Sequence, residues 1–370
     1  MPPTATKTEL SSNPPSMIIL TLIIISIIAI VLIGIAFDRL GLRKKSCDNL
    51  NKIYPNLLSS VPNVTYFNGR NAIKSDALSI FGSDNSNNTL INFYVKSAYN
   101  CCCGDGYKDN FVDLCALERC IANGCRFLDF EIYSYNNDPI IASSTANSNY
   151  IKETYNALLL SEVLASITDN AFDGIKTNSA MDPLILNFRV MSTNKTMLEK
   201  MGDLFQEYLD RVGTNFSLLN AKDAAVINSR MSDLRQKIII ICDFNPSPNI
   251  IIDLKLSKLK TYINLNGKGL YCNTYRFNDI VAKGSTNTQF ITETNRKYTI
   301  VLPNLDNSTP NFNSTNSWAF GCQAICMKHQ KDPNKDTDLD AYNKRFENQK
   351  ANPRDDNSIN IGSYSWRFKG

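Results

Sequence analysis

Residues Gly124–Tyr133 read GCRFLDFEIY. On a strand, Phe127, Asp129 and Glu131 point to one face, and Leu128, Phe130 and Ile132 to the other. The apolar set predicts packing away from the two carboxylates, with Arg126 just before them. Two acids two residues apart on one strand face are costly to bury without a cation or hydrogen-bond donors. That suggests a metal or a basic partner at the end of a barrel strand, where barrel enzymes keep their sites. A half-exposed strand with a solvated acidic face fits the ten residues equally well.

Three further segments decide between these readings. Pro139–Ser144 is PIIASS, Asp182–Val190 is DPLILNFRV, and Trp318–Gln330 is WAFGCQAICMKHQ. In this order the segments resemble the X and Y boxes of eukaryotic phosphoinositide-specific phospholipase C. That family runs roughly GCR-x-x-E-L-D-x-W, P-x-I-x-H-G, PVILSxE and W-N-x-GCQ-x-V-A-L-N-F-Q. The resemblance covers about Ile91 to the C-terminus. It implies a distorted (β/α)8 barrel of the TIM type.

Composition fits one large domain plus an anchor. The chain has 370 residues and a net charge of +4, and a barrel of ~250 residues runs as one unit. No basic stripe with interleaved aromatics appears, so no nucleic-acid partner is expected. Eleven cysteines with one histidine and no CxxC pairs argue against a Cys/His zinc site. Sequons at Asn63, Asn87, Asn194, Asn215, Asn307 and Asn313 carry little weight in an Asn- and Ser/Thr-rich chain.

Residues 1–16 are polar and read as disordered. Met17–Phe37, MIILTLIIISIIAIVLIGIAF, is uncharged and long enough to cross a bilayer as a single transmembrane helix. Arg39, Arg43, Lys44 and Lys45 follow it, against Lys7 before it. The positive-inside rule therefore predicts a cytosolic C-terminal domain. Residues 38–90 read as a basic flank and polar connector, and 91–370 as the barrel, X-like over 91–193 and Y-like over 234–370. Strands are expected at Ile91–Val95, Gly124–Tyr133, Pro139–Ser143, Leu184–Val190, Lys237–Cys242, Thr261–Leu265, Tyr298–Leu302, Gly321–Gln330 and Ser363–Phe368. Helices are expected at Asn110–Ala122, Ser161–Phe172, Lys195–Val212 and Asp338–Asn348. Their alternation implies a mostly parallel sheet.

The resemblance also implies a site, and this chain departs from it. The family uses one histidine as base and one as acid; here Tyr99 and Ser143 stand at those positions. Neither is a useful base at neutral pH. His329 falls where the family has phenylalanine. The family's calcium shell corresponds to Asn100, Asp129, Glu131 and Arg189, with the two strand acids exchanged and an arginine replacing a glutamate. Its phosphate-gripping lysines correspond to Ile241 and Asp243. The retained residues are those of a scaffold: Gly124, Cys125, Arg126, Pro139, Pro183, Trp318, Gly321, Cys322, Gln323 and Gln330. The ligand pocket is thus expected to hold Asn100, Arg126, Asp129, Glu131, Arg189, Ile241 and Asp243.

Arg189 is expected to take the calcium ion's place beside Asp129 and Glu131, so no metal or other cofactor is expected; calcium enters only if the barrel is active. Cys101–Cys103 are expected on the rim loop, reduced, with S-palmitoylation as a sharper alternative. Taken together, the residues suggest a membrane-anchored, non-catalytic barrel that binds a phosphoinositide or other anionic headgroup, or a protein partner. An active phosphodiesterase with substitute residues and a structural membrane protein are the alternatives.

Overall fold

The structure is a computed structural model. It describes residues 15–53, 89–146, 151–177, 179–244, 258–284, 287–306, 310–332, 334–347 and 365–369. The chain divides into two units, Met1–Lys45 and Ser46–Gly370.

The described part of the first unit belongs to helix α1, Pro15–Ile53. No charge interrupts Met17–Phe37, and the apolar side chains are exposed. At ~1.5 Å per residue the helix exceeds the ~30 Å hydrocarbon core of a bilayer. An N-terminal apolar helix of membrane-spanning length is therefore present, with a mean hydropathy of 3.4 in its most apolar window. The expected connector begins later than the sequence suggested. Helix continues through Cys47 to Ile53; no proline lies between Phe37 and Ile53, and Gly41 is the single glycine there. The rest of the connector, 54–88, and the N-terminal tail to residue 14 lie outside the described residues.

The second unit is built on a curled parallel sheet. Its strands are β1 Phe93–Ala98, β2 Phe127–Tyr135, β3 Asp138–Ala142, β4 Leu158–Leu159, β5 Leu184–Val190, β6 Ser217–Leu218, β7 Lys237–Phe244, β8 Leu265–Asn266, β9 Cys272–Arg276, β10 Tyr298–Leu302, β11 Ala324–Met327 and β12 Trp366–Phe368. The main path runs β6-β7-β5-β2-β1-β11-β10-β9, with every neighbouring pair parallel. Helices α2 Leu114–Ala122, α3 Leu160–Asn170 and α4 Lys195–Leu209 form part of the outer layer. This is the expected TIM-type barrel, in a distorted form. Among the described residues no ladder joins β8 to β9; the gap is bridged by Thr274 Oγ1 donating to Gly267 O at 2.9 Å.

Strand alternation sorts the side chains. Phe130 and Phe188 stack at 5.5 Å, and Phe188 meets Phe205 of α4 at 5.1 Å. All three are fully buried, each worth roughly 1.5–3 kcal/mol of burial. Gly202 lets α4 close onto the helix Lys258–Tyr262, since a Cβ there would lie 2.6 Å from Leu259 N.

Three expected strands differ. Pro139–Ser143 is not a barrel strand: β3 folds back antiparallel on β2 through Asn136 and Asn137, both at positive φ (49° and 64°), a turn that Asn tolerates and tight hairpins require. Thr261–Leu265 is split between the helix Lys258–Tyr262 and the two-residue β8. Gly321–Gln330 shortens to β11, because Gly321 at φ 76° ends the preceding helical turn Thr315–Ala319. Strand β9 was not expected; CNTYR has no apolar alternation to announce it.

Candidate functional site at the barrel mouth

Register brings the site together. Across β2, β5 and β7, Asp129 pairs with Asn187 and Asn187 with Ile241; one step up, Glu131 pairs with Arg189 and Arg189 with Asp243. These are two successive layers on the barrel interior. Asn100 follows β1 at φ 42°, a conformation Asn adopts more readily than most residues. Gln330 holds that turn, its Nε2 donating to Tyr99 O at 3.3 Å and Asn100 O at 3.0 Å.

Arg189 sits among these groups as a hub. Its Nε donates to Asp129 Oδ1 at 2.9 Å and its Nη2 to Asp129 Oδ2 at 2.7 Å, a two-pronged pair. Nη1 donates to Glu131 Oε1 at 2.6 Å, and Nη2 also to Asn100 Oδ1 at 2.7 Å. The remaining acceptor capacity is met locally. Asn187 Nδ2 and the Asn100 backbone N–H donate to Asp129 at 2.8 and 3.2 Å. Asn100 Nδ2 donates to Glu131 Oε1 at 3.3 Å; Tyr133 OH and Ser144 N donate to Glu131 Oε2 at 2.8 and 2.9 Å. All the charged members are buried. Burial alone would lower the Arg189 pKa, but the charges of Asp129 and Glu131 outweigh it and hold it well above the ordinary value.

The residues that the sequence resemblance matches to a calcium shell do not fit the ion. Calcium needs roughly six to eight oxygen ligands. Here Asn100 Oδ1, both Asp129 oxygens and Glu131 Oε1 all accept from one guanidinium, which fills the space between them.

Tyr99 and Ser143, where the sequence resemblance expects histidines, are both packed into the structure. The Tyr99 ring lies under the Arg189 guanidinium at 4.9 Å, a cation–π contact. Burial raises its hydroxyl pKa despite Arg189 and Arg276 nearby, so it makes a poor base. Ser143 Oγ donates to Tyr107 O at 2.7 Å and is fully buried; the Tyr107 ring stands edge-on to Tyr99 at 5.1 Å. His329 is buried and its pKa is pushed down to about 3, by burial first and Lys96 second. Its Nδ1 lies 2.9 Å from Asn123 Nδ2.

A cavity of about 220 Å³ opens above this layer. Glu131, Arg189 and Asp243 form part of its wall, with Lys268, Thr274, Arg276, Asp279 and Leu302. Lys268 pairs with Asp243 at 3.2 Å. Arg276 Nη1 donates to two neutral acceptors, Pro303 O at 2.8 Å and Tyr99 OH at 3.3 Å. Three cations and three acids face the cavity, so its formal charges balance.

Several expected pocket residues lie elsewhere. Arg126 is one residue out of phase with Phe127 and points to the other face of the sheet; its Nη2 donates to Ala171 O at 2.7 Å beside the Phe172 ring, and burial lowers its pKa to about 10. Ile241 is a layer below the cavity in the apolar core. Asn100 and Asp129 do not line the cavity and lie behind Arg189 and Glu131. Cys101, Cys102 and Cys103 lie on the loop after β1 as free thiols, but they are at most 1% exposed, which disfavours acylation; two of their backbone groups, Cys101 N and Cys102 O, tie the loop to Asp129 O and Asp113 N. Lys268, Arg276 and Asp279 were missed with strand β9, which carries the segment to the mouth.

The curled parallel sheet has the barrel fold of phosphoinositide-specific phospholipase C. PLC21 from S. officinalis is similar at 15% identity and a TM-score of 0.52, over 66% of this chain and 34% of that one. PLC21 from L. pealei is similar at 15% identity and a TM-score of 0.50, over the same shares. This chain thus spans about a third of the length of either. A calcium-dependent phosphoinositol-specific phospholipase C from a Gram-negative Pseudomonas sp. aligns over 66% of this chain and 92% of its own, at 8% identity and a TM-score of 0.42. Identities this low establish the fold and transfer no residue's role. No family model matches the chain, and no curated protein matches it in sequence.

Proposed function

We propose that this chain is a membrane-anchored, non-hydrolytic phospholipase C-like protein whose barrel mouth binds a small anionic headgroup. The observation that carries the loss of catalysis is the Arg189 guanidinium, hydrogen-bonded to Asp129, Glu131 and Asn100 where a metal would otherwise lie. A general base and a general acid each contribute on the order of 10²–10⁴-fold, and Tyr99 and Ser143 supply neither. Helix α1 supplies the anchor.

The cavity's size and charge favour a ligand with few phosphates. At about 220 Å³ it is smaller than the ~300–1,000 Å³ of drug-sized sites. Balanced charges give a polyphosphate no net attraction, whereas Arg276 can turn from its neutral acceptors toward one phosphate. Acidic and hydroxyl-bearing walls suit the hydroxyls of a polyol ring.

The test uses the full chain reconstituted in vesicles containing phosphatidylinositol or its 4,5-bisphosphate. No diacylglycerol or inositol phosphate should be released, with or without calcium. Inositol 1-phosphate should bind, and Arg276→Ala should weaken binding at least tenfold. Turnover that disappears in Tyr99→Phe would instead establish an active phosphodiesterase.

A further inference from the structure

A second feature lies away from the mouth and is independent of the ligand reading. Cys47, near the C-terminal end of α1, is disulfide-bonded to Cys115 in the first turn of α2, with Cα atoms 6.0 Å apart, inside the range an unstrained bridge needs. The adjoining contacts hold the same two segments together: Leu50 is buried, Arg119 Nη2 donates to Asn51 Oδ1 at 2.6 Å, and Asp113 caps α2 by accepting from Cys115 N. The other nine cysteines are buried free thiols. Such a bridge persists in oxidising compartments and is reduced in the cytosol.

The sequons supply an independent observation. Asn63, Asn87 and Asn307 lie outside the described residues. Asn194 spends its amide nitrogen on Ser134 Oγ and Asn137 Oδ1, and Asn215 on Phe172 O. Asn313 differs: it is exposed, and its bonded atom is the oxygen, which accepts from Thr315 N at 2.9 Å. The sequon's own threonine thus fixes the side chain through the atom that carries no sugar.

We propose that the domain faces an oxidising, non-cytosolic compartment and that Asn313 is an N-glycan acceptor there. Cys47 and Cys115 close by exchange with the disulfide of a thiol oxidoreductase: one thiolate forms a mixed disulfide, the other displaces it, and the oxidoreductase leaves with two thiols. At Asn313 the amide nitrogen displaces polyprenyl pyrophosphate from C1 of an oligosaccharide donor and loses one proton. The basic flank Arg39–Lys45 pulls toward the opposite orientation, but charge bias is a statistical preference of insertion. A disulfide in a reducing cytosol would be opposed by the whole glutathione pool.

The test is translation of the full chain with sealed endoplasmic-reticulum microsomes. Denatured product is labelled with a polyethylene-glycol maleimide before and after reduction, and is treated with an amidase that removes N-glycans. Nine cysteines should label before reduction and eleven after it. The product should carry a glycan, with one glycan fewer in Asn313→Gln. Eleven labelled cysteines without reductant would overturn the proposal, including the case in which Cys47, Asp113 and Cys115 hold a metal as free thiols. A glycan pattern unchanged by Asn313→Gln would overturn the glycan site.

Discussion

Arg189 has to satisfy two buried carboxylates at once, and its geometry allows it. Removing one partner of a buried ion pair costs roughly 3–5 kcal/mol, because the remaining charges stay desolvated. Arg189→Gln should therefore lower unfolding free energy by about that much in denaturant titrations. A loss of under ~1 kcal/mol would mean that water already serves the acids. His329 makes a second residue-scale prediction. Free histidine titrates near ~6.5, whereas burial pushes His329 down to about 3, and the Asn123 amide beside Nδ1 at 2.9 Å can donate to a neutral ring but not to a protonated one. Below pH ~6.5 the unfolded chain binds a proton that the folded chain refuses, so stability is full above that pH and falls as pH drops toward 3, by up to ~1.4 kcal/mol per pH unit. His329→Gln should flatten the stability profile between pH 6.5 and 5; an unchanged slope would show the ring to be solvated. The contact of Arg189 with Asp129 and Glu131 was expected from the resemblance, and alternation on β2 and β5 is the physical reason these side chains share the interior. Arg126 was misread for the same reason, since one residue of offset sends it through the sheet. The fate of Ser143 was not legible: its hydroxyl is bound by Tyr107 O, 36 residues away in sequence.

The elements differ in how plainly they announce themselves. Strands β5 and β10 match the expected Leu184–Val190 and Tyr298–Leu302, because a strand buried on both faces reads as a continuous apolar run. Strand β9 has only Cys272 buried, and short polar strands carry no such signal. The arms of the β2–β3 hairpin were found but not their antiparallel pairing, which two positive-φ asparagines decide. Within the outer layer, Phe188→Ala should cost roughly 3–5 kcal/mol by denaturant unfolding, since it removes the ring between Phe130 and Phe205. Reducing Cys47–Cys115, which spans 68 residues of sequence, should cost roughly 2–5 kcal/mol. Matched unfolding curves with and without reductant would measure that, and identical midpoints would contradict the bridge. The pairing was not foreseen, because eleven cysteines permit many partners and the contact depends on where α1 ends.

At the scale of the whole barrel, hydrogen bonds and ring packing away from the mouth hold the fold. Gln323 joins Ile91 O, Thr294 O and Thr299 N, and Trp318 packs among Tyr94, Tyr342 and Phe346. Gln323 and Trp318 are scaffold positions the sequence singled out, and they explain why the fold was readable. On the proposed reading, histidine placed at both Tyr99 and Ser143 should give no turnover in a radiolabelled phosphatidylinositol assay, because Arg189 still occupies both carboxylates; measurable release would show that those two side chains alone are limiting. The most direct test of that placement is a calorimetric titration of the unmutated full chain with calcium. A guanidinium already bound to Asp129, Glu131 and Asn100 predicts no binding heat up to millimolar calcium, whereas saturable binding in the micromolar range would show that the acids hold a metal and that Arg189 gives way to it.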